Sequence, residues 1–247
     1  SGMPLQQSLN GRFGLGDVDP LVPDLHNRRE SPKLIVDLVR EHPQEIRILT
    51  FGPLTNVAMA LDLAPDLPLL LNGIVCLGGA MRQHGDVTPV AEFNMWSDPQ
   101  AARAVMRSPI GKILVPLDVS NEPGLTFDDV DRLSGLIPST PVGEFVIGLL
   151  QFATRANRQF LPREEMAIPA AAALAITAQA TKFTTESVVL DVETTGELTS
   201  GMTIVDRRGF GLRQTNAEVV TQLDVPSVID YFCRGTRRIA VSSEGRS

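Results

Sequence analysis

Asp86, Glu92 and Asn94 stand close together in the segment GGAMRQHGDVTPVAEFNMWSDP, residues 78–99. Carboxylates accept hydrogen bonds from hydroxyls, and a primary amide both donates and accepts. That mixture suits a polyhydroxylated ligand such as a ribose. The same three residues also read as solvated loop positions and helix caps, and spacing alone leaves both open. Asp98, just before Pro99, reads as a helix N-cap. Of the three histidines, His84 alone lies near this loop and is a candidate for proton transfer. His26 and His42 lie in other polar segments, and no pair of histidines has metal-ligand spacing. Asp118 in LDVSNE sits at a predicted strand end, where it reads as a turn cap in preference to a ligand contact. Thr55 or Asn56 of GPLTN could cap the helix that follows. The GLG at 14–16 lacks the strand–helix frame of a dinucleotide fingerprint and reads as a turn, and there is no P-loop and no HExxH. Cys76 reads as core and Cys233 as part of the last helix; neither has the setting of an activated thiolate.

These side chains act only where the surrounding elements put them. Residues 1–30 are rich in Gly, Pro and polar residues and show no periodicity. A helix is predicted from Ser31, as N-cap with Pro32 at the first helical position, to about His42. Apolar, β-branched runs at 46–51, 73–79 and 112–118 read as strands, with helices over 54–63 and from Pro99 through Ser108. Further helices are predicted over 126–136, 141–160 and 169–179, strand-like segments at SVVLDVE and MTIVD, and a final helix from near Pro226 to Arg238. Near-continuous apolar strands alternating with helices are the mark of a parallel sheet covered on both faces. The expected fold is a single α/β domain over 1–247, with a mainly parallel sheet. Its ligands should bind at the carboxyl ends of the strands, after Phe51, Leu77 and Leu117.

Composition removes other classes. With 22 Lys+Arg against 29 Asp+Glu in 247 residues, there is no basic excess to neutralise phosphates, so no nucleic-acid partner is expected. Two cysteines build neither a disulfide framework nor a Cys-rich zinc site. No apolar run reaches the length of a membrane span, and the chain opens without a basic-then-apolar leader, so a cytoplasmic location and no membrane partner are expected. Aromatic residues, at 5%, are too scarce for a stacking platform.

The blocks GPLTNVAMAL, IVCLGGA, GDVTPVAEFNMWSDPQAA and LDVS, in this order, resemble the inosine–uridine-preferring nucleoside hydrolase family. The resemblance extends upstream to LNGRFGLGDV and downstream to VETTGELTSGMTIVD and TNAEVVTQLDVPSVIDYF, which look like that family's C-terminal strands and closing helix. It implies a Rossmann-like core and hydrolysis of the N-glycosidic bond of ribonucleosides to base and ribose. It also implies a Ca²⁺ that binds the ribose 2′- and 3′-hydroxyls and a water, with an aspartate as the base for that water. A metal lowers the pKa of its bound water, and carboxylates stabilise a cationic, oxocarbenium-like sugar. Glu92 and Asn94 match the family's ribose-contacting glutamate and asparagine, and Phe51 the position whose backbone carbonyl ligates calcium. The family is commonly dimeric or tetrameric, which makes a homo-oligomer the expectation.

Departures from the pattern carry equal weight. The family's Asp-x-Asp-Pro-Gly-x-Asp-Asp segment, source of most calcium carboxylates and of the base, has no counterpart here. The chain opens at SGMPLQQ, equivalent to a point well inside the family's fold, so the first strand–helix units are expected to be missing. The metal-ligating aspartate of a later His-Asp-Pro triplet falls on Ala170, in Pro169-Ala170-Ala171. Asn10 stands where a histidine is frequent, and Asp86 where an asparagine is common. Calcium takes six to eight oxygen ligands, and a site left with one carbonyl and waters should bind it weakly or not at all. The expectation is therefore impaired hydrolysis with no assigned catalytic residue and a nucleoside or ribose-like ligand held by Glu92, Asn94, Asp86 and Asn10. The alternatives are a non-catalytic nucleoside or ribose binder and an oligomeric interaction protein.

Overall fold

Apolar runs of strand length, each followed by a helix with one buried stripe, build the centre of this chain. The computed structural model describes residues 9–11, 14–16, 18, 30–161, 163–208 and 214–242, with side chains as far as Arg238. Helix α1 (Ser31–Glu41) leads to strand β1 (Ile48–Thr50). Helix α2 (Thr55–Leu63) and the single turn α3 (Leu67–Leu70) lead to β2 (Ile74–Leu77). After a long loop come α4 (Phe93–Ser97), α5 (Pro99–Arg107), β3 (Lys112–Val115) and a helical turn α6 (Leu117–Ser120). A mostly helical stretch follows: β4 (Gly124–Leu125), α7 (Phe127–Ser134), α8 (Pro141–Phe160), β5 (Met166–Ala167) and α9 (Pro169–Thr177). The chain then forms β6 (Phe183–Val188), β7 (Leu190–Val192), β8 (Thr203–Val205) and β9 (Ala217–Leu223), and α10 (Val225–Ser242) follows.

The central sheet has the order β1-β2-β3-β9-β6. Its first four strands are parallel and β6 runs antiparallel to β9. This is the mainly parallel α/β architecture expected from the alternation. Side chains of a strand alternate between faces. Ile74 and Cys76 therefore pack with Leu114 beneath α1, α2 and α5. Val75 and Leu77 pack with Val115 beneath Ala173 and Ile176 of α9. A separate apolar cluster unites α7, α8, α9 and α10 through Leu125, Leu133, Leu150 and Val228. Among the described residues no helix is long and apolar enough to cross a membrane.

Several local expectations are corrected. Helix α1 has Glu30, not Ser31, at its N-cap, with no side-chain cap bond, and Pro32 still lies in its first turn. Neither Thr55 nor Asn56 caps α2; the Thr55 hydroxyl donates instead to Asp98 Oδ2 at 2.6 Å. The segment 112–118 is a strand only to Val115, because Pro116 ends the ladder and Leu117–Ser120 closes a helical turn. SVVLDVE divides at Val189: β6 stays in the main sheet while β7 pairs with β8 in a separate ribbon. Asn216 bridges that break, accepting from Leu190 N–H at 2.7 Å and donating to Leu190 and Met106 carbonyls at 2.9 Å each. The GLG turn is present: Gly16 N–H donates to Asn10 C=O at 2.9 Å and Gly14 N–H to Gly11 C=O at 3.2 Å. His26 lies outside the described residues.

Asp98 is the expected N-cap of α5, accepting from Ala101 N–H at 3.0 Å while its other oxygen holds Thr55. One side chain thus satisfies a helix end and ties two helices together. Asp98→Ala should cost about 1–2 kcal/mol of stability in urea denaturation. A midpoint unchanged from the parent chain would contradict this assignment.

Candidate functional site

Parallel strands in register bring their carboxyl ends to one edge: Thr50 aligns with Cys76, and Leu77 with Val115. The site residues reach that edge through the loop after β2 and the short helix α4. Asn94, with 4% of its surface exposed, donates from Nδ2 to Leu77 C=O at 2.9 Å and to Phe51 C=O at 3.2 Å. One amide therefore joins the ends of β1 and β2. With both hydrogens spent there, Oδ1 is left as an acceptor.

Glu92 is 5% exposed and is the N-cap of α4. Its Oε2 accepts from Met95 N–H at 3.1 Å and from Gly79 N–H at 2.9 Å. The strand-to-loop turn must be glycine for this approach. Gly78 has φ +148°, and a Cβ on it would stand 2.8 Å from Glu92 Oε2. Burial pushes the Glu92 carboxyl up to about 7; the negative Asp86 adds to the rise, and the surrounding amide N–H groups oppose it. Both bonds above end on Oε2, and the Asn94 backbone N–H also faces this carboxyl.

The loop between Gly79 and Glu92 is fixed by side chains from three elements. Glu92 takes Gly79 N–H, and Thr203 on β8 takes Ala80 N–H at 3.0 Å. Asp118 on α6 takes Met81, Arg82 and Gln83 N–H at 2.8, 2.7 and 3.2 Å. Asp118 is thus the turn cap that the sequence favoured, and the turn it caps lies 35–37 residues upstream. Nothing in the local pattern of LDVSNE points to that partner or to Thr203.

The other candidates are placed differently. Asp86 is exposed and accepts from Phe93 N–H at 2.8 Å, so it braces the start of α4 beside Glu92. The loop packed around its carboxyl raises its pKa, and the Phe93 amide opposes the rise. His84 is exposed, with Nδ1 2.7 Å from its neighbour's Gly85 carbonyl oxygen. Asn10 is exposed and enters the described hydrogen bonds through its backbone carbonyl, in the GLG turn. The structure therefore brings Glu92, Asn94, Asp86 and the Phe51 carbonyl together and gives Asn10 no described bond to them. Cys76 is buried in β2, and burial pushes its thiol up to about 12, which removes it as a nucleophile.

Calcium requires an oxygen cage with several carboxylates. Ala170 is the second residue of α9 and offers only a methyl group. Phe51 C=O accepts from Asn94 with one of its two lone pairs and supplies a neutral oxygen only. Among the described residues no three His, Cys, Asp or Glu side chains are grouped to hold a metal ion. The described residues thus supply one backbone carbonyl and no grouped carboxylates for a calcium ion.

Similarity to known proteins runs along nearly the whole chain. The family model described as "Inosine-uridine preferring nucleoside hydrolase" matches residues 2–230. A pyrimidine-specific ribonucleoside hydrolase of Salmonella arizonae is 32% identical over 205 residues, covering 81% of this chain and 64% of the relative. The chain thus spans just under two thirds of that relative's length. An inosine-uridine preferring nucleoside hydrolase of Leishmania major is 32% identical over 220 residues, covering 87% of this chain and 68% of the relative. Among solved structures, a purine-preferring ribonucleoside hydrolase from Gardnerella vaginalis superposes with a TM-score of 0.84 at 27% identity, over 96% of this chain and 75% of the other. The chain belongs to the inosine–uridine preferring nucleoside hydrolase family.

Proposed function

We propose that this chain carries the ribose-recognition half of a ribonucleoside hydrolase site, binds a ribonucleoside there without calcium, and is impaired to the point of no measurable hydrolysis as it stands. The observation that carries this reading is the pair at the carboxyl end of the sheet. Glu92 and Asn94 have spent one polar atom each on the backbone. What remains is the Oε1 end of a carboxyl that holds its proton near neutral pH, and the acceptor Oδ1 of an amide. A donor beside an acceptor matches the two-way hydrogen bonding of a sugar hydroxyl. Family membership supports a nucleoside as the bearer of that sugar.

The impairment rests on the donor set. Ala170 offers no charge at the position where the family has a metal-ligating aspartate, and the Phe51 carbonyl, which also accepts from Asn94, supplies only a neutral oxygen. Base preference does not carry over, because the relatives' names specify pyrimidine, inosine-uridine and purine nucleosides.

Binding and turnover can be separated experimentally. Uridine or inosine at about a hundred times its Kd should stabilise the protein by about 2.7 kcal/mol, a rise in Tm of roughly 5–10 °C. The rise should survive a chelator, and base release in added Ca²⁺ should stay at the no-enzyme background. Turnover above background, or a shift that the chelator abolishes, would contradict the reading.

The proton on Glu92 gives a pH signature. The unfolded chain ionises this group near 4.5, whereas the folded chain holds its proton to about 7. Its contribution to stability is therefore full below pH 4.5, falls as the pH rises through that window, and is gone above about 7. Relative to Glu92→Gln, the parent chain should lose about 3 kcal/mol between pH 4.5 and 8 in denaturant titrations. Parallel pH profiles for the two proteins would rule this out.

A further inference from the structure

Asp118 touches neither Glu92 nor Asn94, and ribose recognition by that pair leaves it without a role. Its position gives it one. The chain from Gly79 to Gln83 presents five successive backbone N–H groups, and all five donate to side chains: Glu92, then Thr203, then Asp118 three times. Adjacent N–H groups that point the same way make a concave, electropositive surface that a carboxylate fits well. Asp118 divides its two oxygens across it, with Oδ2 on Met81 and Oδ1 on Arg82 and Gln83. It starts from a firm base, since α6 follows directly from the buried strand β3 and Leu117 N–H donates to Gly79 C=O at 2.9 Å.

We infer that Asp118 is a positioning residue for the nucleoside site: by holding the Met81–Gln83 amides it fixes Gly79, and Gly79 fixes the Glu92 carboxyl. This rests on the proposed ribose role of Glu92 and Asn94. The link between Asp118 and Glu92 is two short steps along one loop. Thr203 locks the middle step from both sides, accepting from Ala80 N–H and donating to Ala80 C=O at 2.6 Å. Without the carboxylate, three adjacent amides lose their acceptor, and only the Thr203 bonds at Ala80 and the Leu117 N–H on Gly79 C=O are left to hold the curvature that aims Gly79 N–H at Oε2. Asparagine is a graded probe. Its oxygen can replace Oδ1 for Arg82 and Gln83, while its NH₂ meets Met81 N–H, a donor against a donor.

The test uses the whole chain, with hydrogen exchange and nucleoside calorimetry on Asp118→Ala and Asp118→Asn. Leu133→Ala, in the separate α7–α8 core, serves as a control for general destabilisation. In Asp118→Ala the Gly79 and Met95 amides, which bond Glu92 and not Asp118, should lose protection together with those of Met81–Gln83. Uridine affinity should fall about tenfold, with Asp118→Asn in between and Leu133→Ala unchanged. Loss of protection confined to Met81–Gln83 would overturn the inference, with or without a ligand. Unchanged uridine affinity in Asp118→Ala would overturn it too, provided Asn94→Ala weakens binding. If Asn94→Ala binds like the parent chain, the ribose reading has failed instead, and hydrogen exchange alone then decides the link to Glu92.

Discussion

A carboxyl group buried at a helix start, with two backbone N–H groups on one of its oxygens, organises the carboxyl edge of this sheet. Glu92 Oε2 receives Met95 N–H from its own helix and Gly79 N–H from the end of β2. A buried carboxyl must either keep its proton or be heavily hydrogen-bonded. Here burial outweighs the amides, so the proton is held to about neutral pH. The turn at Gly78-Gly79 and the start of α4 meet at that one carboxyl, while Thr203 and Asp118 hold the loop between them. Asn94, two residues on, does the same for the strand ends by joining Leu77 and Phe51 carbonyls.

The centre of the sheet was legible in sequence because β2 is buried throughout, β3 nearly so, and β1 half-buried beside them. IRILTF, GIVCLGG and KILVPLD are mainly apolar runs, and three of the four parallel strands fall inside them. What failed were the places where a tertiary partner decides. Thr55 is an ordinary candidate cap, but Asp98 claims its hydroxyl from 43 residues away. SVVLDVE reads as one strand by composition, and it is Asn216, from a distant segment, that sets where it leaves the sheet. Helix α4 has only five residues, too short to show a helical period, and its boundary is set by the Glu92 cap.

The candidate site was legible in part, and for a different reason. Asp86, Glu92 and Asn94 were visible as a cluster of polar types, but type alone does not separate a ligand contact from a cap. In the fold the distinction is blurred further, since Glu92 and Asp86 both brace α4 and Glu92 is also buried. The resemblance, not the spacing, matched Glu92 and Asn94 to the family's ribose-contacting positions. Ala170 carried information of the opposite kind: a methyl at the start of α9 supplies no charge for a divalent ion. Asp118 was read as a cap from its place at a strand end. That its partners would be three amides of the site loop required the β2–β3 pairing, which brings the two loops side by side.

Protein hydrogen bonds and a divalent ion are two different ways to hold a nucleoside at this edge, and the residues present favour the first. A crystal structure of the chain grown with uridine and excess calcium decides between them. Ribose hydroxyls should lie within hydrogen-bond distance of Glu92 Oε1 and Asn94 Oδ1, with no ion on the Phe51 carbonyl. A calcium bound to that carbonyl and to the sugar hydroxyls, or a sugar bound elsewhere, would contradict it.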